Sequence, residues 1–202
     1  MIKKDLIIIP GAYHLTSELI IKKTIKKIYP NSKVNIHYGK SYKKLIKLLS
    51  KNYDKIHFVR YNRRFFRLFD KDNITKVKQI IKKANKNYDV LAFSFGGYLI
   101  QQALRKTKKY PKKIVLVCSF NPEKSYKFPK KTKVINIQSK QDIFLKEVTH
   151  LLSRKEGDLI LSNAKNILLE NLKHTQLETN TKIKSGRYKG FSTFRLIKKF
   201  LD

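Results

Sequence analysis

Residues 89–98 read DVLAFSFGGY and contain the pattern that decides the fold. The apolar run Val90–Phe93 predicts a strand that is buried on both faces, because no polar residue alternates within it. A serine and a glycine pair follow, Ser94 and Gly96–Gly97, and the apolar spacing of Leu99–Leu104 then predicts a helix. The stretch therefore predicts a tight strand-to-helix turn that presents the Ser94 hydroxyl at the carboxyl end of a buried strand.

The rest of the chain alternates between the same two kinds of segment. Apolar residues recur at helical spacing at 19–28, 45–49, 74–84 and 194–201, and short β-branched runs lie between these stretches. Such alternation predicts an α/β fold with a mostly parallel sheet and helices on both faces. We expect a single domain over residues 1–202. The seven predicted strands are Leu6–Ile9, Val34–His37, Lys55–Val59, Val90–Phe93, Ile114–Cys118, Val134–Ile137 and Ile167–Leu169.

The composition is that of a folded and strongly basic protein. Of the 202 residues 41% are hydrophobic, which suffices for a hydrophobic core. The net charge of +33 predicts affinity for polyanions. A single cysteine excludes an intrachain disulfide. The early apolar run at 6–10 is too short for the core of a signal peptide or for a membrane span, so we expect a cytoplasmic protein without a transmembrane segment.

The turn at Ser94 resembles the nucleophile elbow of the α/β-hydrolase family, which reads small-x-Ser-x-Gly. Ala92 is the small residue and Gly96 is the glycine. Small neighbours are needed because the serine of an elbow sits in a strained conformation with its hydroxyl above the sheet. The resemblance extends in pattern order from Leu6 to Leu201. It implies an α/β-hydrolase-like fold with little or no cap domain, in which Ser94 is the nucleophile.

In that family an acid and then a histidine follow the serine along the chain, each after a later strand. Asp142 follows the predicted strand at 134–137. His174 follows the predicted strand at 167–169 and lies outside any helical pattern. The resemblance therefore implies that Asp142 and His174 complete a catalytic triad with Ser94.

Other acids and histidines compete for these roles. Glu147 and Glu170 are alternatives to Asp142, because Asp142 also precedes a helical pattern at 143–152, where an aspartate would cap the helix. His150 lies within that pattern and is interpreted as structural. None of the histidines has metal-ligand spacing with another, so we expect no metal site. A phosphate-binding loop and a dinucleotide fingerprint are both missing from the sequence, so we expect no organic cofactor either.

The resemblance also implies two backbone N–H groups that stabilise the oxyanion of a tetrahedral intermediate. One belongs to Phe95, the residue after the nucleophile. The other belongs to Ala12, in the loop after the first predicted strand, where Pro10 stands in place of the usual histidine. The same loop supplies three candidate substrate-binding residues, which are Gly11, Tyr13 and His14.

A basic and aromatic segment at 58–69 reads FVRYNRRFFRLF and has two interpretations. Arginine interleaved with aromatic side chains suits stacking on nucleic acid or contact with an anionic membrane surface. Alternatively, the aromatic side chains pack into the core and the arginines face solvent. The surrounding stretch at 55–70 is a candidate insertion, either an added strand and loop or a short lid. The candidate polyanion-binding residues are Arg60, Arg63, Arg64 and Arg67.

These patterns predict a serine hydrolase that cleaves an ester or thioester through an acyl-enzyme intermediate, in the manner of an esterase, lipase or thioesterase. The expected partner is a small acyl ester or thioester, and the positive charge favours an anionic one. The alternative is a catalytically silent, strongly basic protein of the same fold that binds nucleic acid or anionic membrane surfaces. The sequence does not indicate an oligomeric state.

Overall fold

Six strands form one parallel sheet in the computed structural model of the chain, which describes residues 4–11, 38–61, 69–120, 126–142 and 160–202. The strands are β1 (Asp5–Ile9), β2 (Lys55–Phe58), β3 (Tyr88–Phe93), β4 (Lys113–Val117), β5 (Lys133–Ser139) and β6 (Lys165–Leu169). The described helices are α1 (Tyr38–Leu49), α2 (Lys71–Lys83), α3 (Phe95–Leu104), α4 (His174–Leu177) and α5 (Thr193–Leu201).

The strand order across the sheet is β2-β1-β3-β4-β5-β6. β1 pairs with β2 on one side and with β3 on the other, so the chain changes its direction of travel across the sheet after β2. The carboxyl ends of β1 and β3 lie side by side there, with Ile9 paired to Ala92. Ligands of open α/β sheets bind outside the strand ends at such a switch point. The topology therefore brings the Pro10–Gly11 loop next to Ser94.

Apolar side chains cover both faces of the sheet. Successive residues of a strand point to opposite faces, and in β1 Ile7 and Ile9 join one buried cluster whereas Leu6 and Ile8 join the other. The first cluster includes residues of α2 and α3, and the second includes residues of α1 and α5. The nearly continuous apolar runs in the sequence thus arise because the central strands are buried on both sides.

The predicted α/β fold, with its parallel sheet covered by helices on both faces, is confirmed. Six of the seven predicted strands overlap β1 to β6. The predicted strand at 34–37 lies outside the described residues, and so do the predicted helices at 19–28 and 143–152. Within the described ranges, no helix is long and apolar enough to cross a membrane.

The candidate insertion at 55–70 is in part a strand of the central sheet. Residues 55–58 form β2, which pairs with β1 at the edge of the sheet. Residues 62–68 lie outside the description. The first part of the stretch therefore belongs to the central sheet.

Candidate active site

Ser94 occupies a strained turn between β3 and α3. Its φ and ψ angles are 47° and −122°, in a region that residues with a side chain rarely adopt. Neighbouring backbone holds this conformation. The Ser94 N–H donates to the carbonyl of Val117 at 3.0 Å, and the Ser94 carbonyl accepts from the N–H of Phe120 at 3.0 Å. The end of β4 therefore stabilises a conformation that favours glycine over serine.

The two glycines after Ser94 allow α3 to approach the sheet closely. A Cβ atom on Gly96 would lie 2.5 Å from the carbonyl oxygen of Ile9. On Gly97 it would lie 2.5 Å from the Cβ of Ser119. A larger residue at either position would push α3 away from the carboxyl ends of β1 and β4, because backbone and Cβ atoms cannot move aside as a flexible side chain can.

The structure brings Ser94, His174 and Asp142 together in one hydrogen-bonded row. His174 Nε2 lies 3.0 Å from Ser94 Oγ, and His174 Nδ1 lies 2.7 Å from Asp142 Oδ2. Asp142 follows β5, and His174 follows β6. Ser94 and His174 are each 4% exposed and Asp142 is fully buried. The row therefore lies at the carboxyl edge of the sheet, largely shielded from water.

The two distances suit a neutral imidazole that carries its proton on Nδ1. In that tautomer Nδ1–H donates to Asp142, and Nε2 accepts from the Ser94 hydroxyl. Burial of the ring lowers the pKa of His174, but the charge and hydrogen bond of Asp142 and the charge of Glu178 outweigh burial and raise the pKa. The imidazole is therefore poised to take up a proton from the serine.

A strained serine after β3, an acid after β5 and a histidine after β6 meet above a parallel sheet that is covered by helices on both faces. The chain has the α/β-hydrolase fold. No protein-family model and no curated protein matches the chain.

Solved structures named as hydrolases are similar to this chain over most of their length. A YdeN-like hydrolase from Pectobacterium atrosepticum is 8% identical, with 85% of this chain and 80% of that chain covered and a TM-score of 0.47. A CIB-like hydrolase from Thermoplasma acidophilum is 14% identical, with coverages of 87% and 79% and a TM-score of 0.44. A carboxylesterase from Bacillus cereus is 13% identical, with coverages of 85% and 81% and a TM-score of 0.38. Because these identities and TM-scores are low, the assignment of the fold rests on the strand order and the geometry of the site.

The predicted oxyanion-stabilising groups are described only in part. Phe95 is the first residue of α3, so its N–H is one of those that a helix leaves without an intrahelical partner. Gly11 lies against Ser94, since a Cβ atom on Gly11 would be 2.9 Å from the Cβ of Ser94. The other predicted residues of this loop, Ala12, Tyr13 and His14, lie outside the described residues.

A second buried carboxylate, that of Glu178, lies beside His174. Its Oε1 atom is 3.9 Å from His174 Nε2, and the side chain is 1% exposed. The sequence pattern indicated Glu147 and Glu170 as alternative acids and did not indicate Glu178. Glu170 is half exposed and pairs with Lys140 on the surface, so it does not replace Asp142. Glu147 lies outside the described residues.

The local structure around His174 explains why Glu178 was missed. His174 was expected outside any helix, but it is the first residue of the one-turn helix α4. The side chain of Gln176 accepts from the Lys173 N–H at 2.8 Å and caps this turn. Residues four positions apart lie on the same face of a helix. A histidine followed by a glutamate four residues later was therefore the signal that could have revealed Glu178.

Cys118 follows β4 and also reaches this site. Its Sγ atom lies 4.0 Å from Glu178 Oε1, and its φ angle is 42°. Burial raises the pKa of the Cys118 thiol, and the charges of Glu178 and Asp142 raise it further. A thiol held in its protonated form is a poor nucleophile, so Ser94 is the better candidate.

Cys118, His174 and Glu178 are residues of the kind that bind metal ions. One ligand atom from each lies within 4.8 Å of the others. Ligand atoms around a tetrahedral zinc ion are about 3.5 Å apart, whereas Glu178 Oε1 lies 3.9 Å from the nitrogen and 4.0 Å from the sulfur. His174 Nε2 also faces the Ser94 hydroxyl. We therefore interpret the three side chains as part of the hydrogen-bonded site rather than as a metal centre.

Of the described aromatic residues of the segment at 58–69, Tyr61 packs inward, whereas Phe69 remains 43% exposed. Tyr61 is 5% exposed, and its hydroxyl donates to the carbonyl of Pro10 at 2.7 Å. Phe69 packs edge-on against Phe95 of α3, with ring centroids 5.0 Å apart. Arg60 is exposed. The remaining candidate polyanion-binding residues lie outside the description, and these are Arg63, Arg64 and Arg67. The hypothesis of polyanion binding therefore rests on the net charge.

Proposed function

We propose that the protein is a serine hydrolase that cleaves an ester or thioester through an acyl-enzyme intermediate. The observation that carries this proposal is the row of hydrogen bonds from Ser94 Oγ through His174 to Asp142, at 3.0 and 2.7 Å. A nucleophile, a base and an orienting acid within hydrogen-bond reach are the parts that acyl transfer by serine requires. The strained backbone of Ser94 further supports a functional role for this residue.

In the acylation step Ser94 Oγ attacks the carbonyl carbon of the substrate, and its proton moves to His174 Nε2. Asp142 accepts a hydrogen bond from Nδ1–H and stabilises the imidazolium that forms. The carbonyl oxygen becomes an oxyanion, which the N–H of Phe95 and the predicted N–H of Ala12 would stabilise. When the intermediate collapses, the carbon–oxygen or carbon–sulfur bond breaks and the leaving group takes the proton from Nε2.

In the deacylation step water replaces the leaving group. His174 Nε2, now neutral, takes a proton from the water as the oxygen attacks the acyl carbon. Collapse of the second intermediate releases the carboxylic acid and returns the proton to Ser94 Oγ. The same nitrogen therefore acts as base and then as acid in each half of the cycle.

The basic charge supports an anionic substrate. At a net charge of +33 the field of the whole protein raises the local concentration of anions. Glu178 has the opposite effect next to the nucleophile, since its carboxylate would repel an anionic acyl group there. A substrate with a neutral acyl group and an anionic remainder, such as a lipid head group or an acyl carrier, satisfies both conditions.

The test is covalent labelling of the purified protein by a fluorophosphonate probe. We expect the wild type to be labelled, Ser94→Ala to remain unlabelled, and His174→Ala to be labelled at least about 100 times more slowly, because general-base catalysis contributes that much. Ser50→Ala is the matched control, since Ser50 is an exposed serine at the end of α1. Labelling that persists in Ser94→Ala, or a folded wild type that is not labelled at all, would contradict the proposed function.

A further inference from the structure

Glu178 is a buried acid that the proposed mechanism does not use. Its two oxygens face different partners. Oε1 lies 3.9 Å from His174 Nε2 and 4.0 Å from Cys118 Sγ, and Oε2 accepts from the Tyr42 hydroxyl at 3.4 Å. A carboxylate that is 1% exposed is costly to bury, so its presence at this position calls for a partner that gains from it.

The imidazole of His174 is such a partner. Its Nδ1 is already engaged by Asp142 at 2.7 Å, so Glu178 cannot serve as the orienting acid of the triad. Its Nε2 faces Ser94 Oγ at 3.0 Å and Glu178 Oε1 at 3.9 Å. In the neutral ring Nε2 bears a lone pair and accepts from the serine. After proton transfer it bears a hydrogen and positive charge, and only then does the carboxylate attract it.

We propose that Glu178 is a positioning residue of the active site, whose carboxylate stabilises the protonated form of His174 from the Nε2 side. This inference rests on the proposed function in that His174 is taken as the base. Asp142 and Glu178 thus bracket one ring, with Asp142 setting its tautomer and orientation and Glu178 favouring the charge it acquires. Two buried carboxylates around one imidazole make the site electronegative in an otherwise strongly basic protein.

The pH dependence of the reaction follows from this arrangement. The titratable groups that face His174 from the described elements are Asp142 after β5 and Glu178 after α4. Glu178 in turn contacts two further titratable groups, Cys118 after β4 and Tyr42 of α1. Burial lowers the pKa of His174, but Asp142 and Glu178 outweigh it, and the net direction is upward. A raised pKa moves the acid limb of the activity profile to higher pH, because the base must be neutral to accept a proton.

The missing side chain at Gly11 leaves the space that the Glu178 carboxylate occupies. A Cβ atom on Gly11 would collide with Glu178 Oε1. The backbone at Gly11, next to the predicted oxyanion residue Ala12, therefore lies directly against the glutamate. A purely structural role for Glu178, as a support for this loop, would depend on the shape of the side chain, whereas the proposed role depends on its charge.

Glu178→Gln separates charge from shape, because glutamine has nearly the same size and retains a carbonyl oxygen. The measurement is the pH titration of the His174 imidazole by NMR, assigned with His174→Ala. We expect the midpoint to fall by about one pH unit or more, the effect of removing an opposite charge at about 4 Å. Glu170→Gln is the matched control, since Glu170 is an exposed carboxylate at the end of β6, and it should leave the midpoint unchanged.

An unchanged midpoint in folded Glu178→Gln would overturn the inference. If that variant does not fold, Glu178→Asp serves instead, because it keeps the charge and retracts it by one methylene. We expect a smaller shift in the same direction, and an unchanged midpoint would again overturn the inference. The pH dependence of fluorophosphonate labelling should move with the NMR midpoint.

The two proposals fail in different ways. The NMR titration needs no substrate, so a shifted midpoint without any labelling would refute the hydrolase and leave the action of Glu178 on His174 intact. Labelling that depends on Ser94, together with an unshifted midpoint, would support the hydrolase and refute the role of Glu178.

Discussion

Carboxylates are buried at both ends of the parallel strands, the amino edge where the strands begin and the carboxyl edge where they end. Their charges are neutralised differently at the two edges. At the amino edge Asp89 is fully buried and has two direct partners, Lys4 at 2.5 Å and the Tyr53 hydroxyl at 2.8 Å. Asp5 accepts from the backbone and the side chain of Asn85, both at 2.9 Å. Each acid there has close donors of its own, as a buried charge requires, although both donors of Asp89 contact Oδ2 and its Oδ1 has no hydrogen-bond partner among the described residues.

At the carboxyl edge two carboxylates face a single imidazole. Asp142 contacts His174 directly, whereas Glu178 lies 3.9 Å away. Three described residues at this edge, Ser94, Cys118 and Asn171, have positive φ angles of 47°, 42° and 58°. Charge and backbone strain are thus concentrated on one side of the sheet. The amino edge therefore contributes stability, whereas the carboxyl edge holds groups whose charge can change.

The largest expected effect comes from the same substitution at the two edges. Asp142→Asn should reduce the rate of fluorophosphonate labelling by about 10⁴-fold, because the amide no longer holds the reactive tautomer of His174. Asp89→Asn should leave labelling of the folded protein unchanged and lower the free energy of unfolding by about 1–3 kcal/mol, because the hydrogen bond to Tyr53 and the ion pair with Lys4 are weakened. Labelling rates and urea unfolding check both outcomes. A loss of labelling in folded Asp89→Asn would show that Asp89 affects the reaction at Ser94 and not stability alone.

A smaller effect is expected from Gly11→Ala. The added methyl group would collide with Glu178 and approach the Cβ of Ser94, which displaces the loop by a fraction of an ångström or more. We expect labelling to slow by about 100-fold, the cost of misplacing catalytic groups by about 1 Å. Gly186→Ala is the control, because no atom lies within 4 Å of the added methyl group. Its φ of 72° should make the control less stable by about 1 kcal/mol without slowing the labelling of folded protein.

The smallest expected effect is a difference in how the two edges respond to pH. Burial opposes ionisation of Asp5, but the hydrogen bonds from Asn85 and His57 outweigh it and lower the pKa. The stability contributed by Asp5 is therefore present above its unfolded pKa of about 3.9 and is lost as the pH falls through the lower folded value. The pKa of His174 is raised. Its contribution is therefore present below about pH 6.5 and is lost as the pH rises through the folded value.

Urea unfolding of the wild type, Asp5→Asn and His174→Asn over about pH 3 to pH 9 would measure this difference. Asp5→Asn should remove part of the loss of stability on the acid side, and His174→Asn should remove part of the loss on the alkaline side. If Asp5→Asn instead reduced the loss of stability on the alkaline side, and His174→Asn reduced the loss on the acid side, the assignment of the two edges would be wrong.

The order of strands and helices could be predicted because the sequence patterns that indicate them are local. The central strands are apolar on both faces, so Val90–Phe93 and its neighbours stand out as continuous runs. The elbow also lies within a few residues, where a strand meets Ser94 and two glycines. Asp142 and His174 were found through the resemblance, from their order after later strands. The structure then placed their side chains within hydrogen-bond distance of one another and of Ser94.

By itself, the sequence determined the alternation of strands and helices and the position of the elbow, and its resemblance to a known family singled out Asp142 and His174 after two later strands. Hydrophobic periodicity and the placement of small residues act over a few positions, so they can be recognised in the sequence alone. Only the tertiary structure decided that β2 forms the edge beside β1 and that Glu178 reaches the second nitrogen of His174. The position of the Glu178 carboxylate depends on the one-turn helix α4 and on the space left by Gly11. It also depends on the hydrogen bond from Tyr42, which lies 136 residues from Glu178 in the chain. Such distances are set when the whole sheet is assembled, because the contacts that define them join segments far apart in sequence.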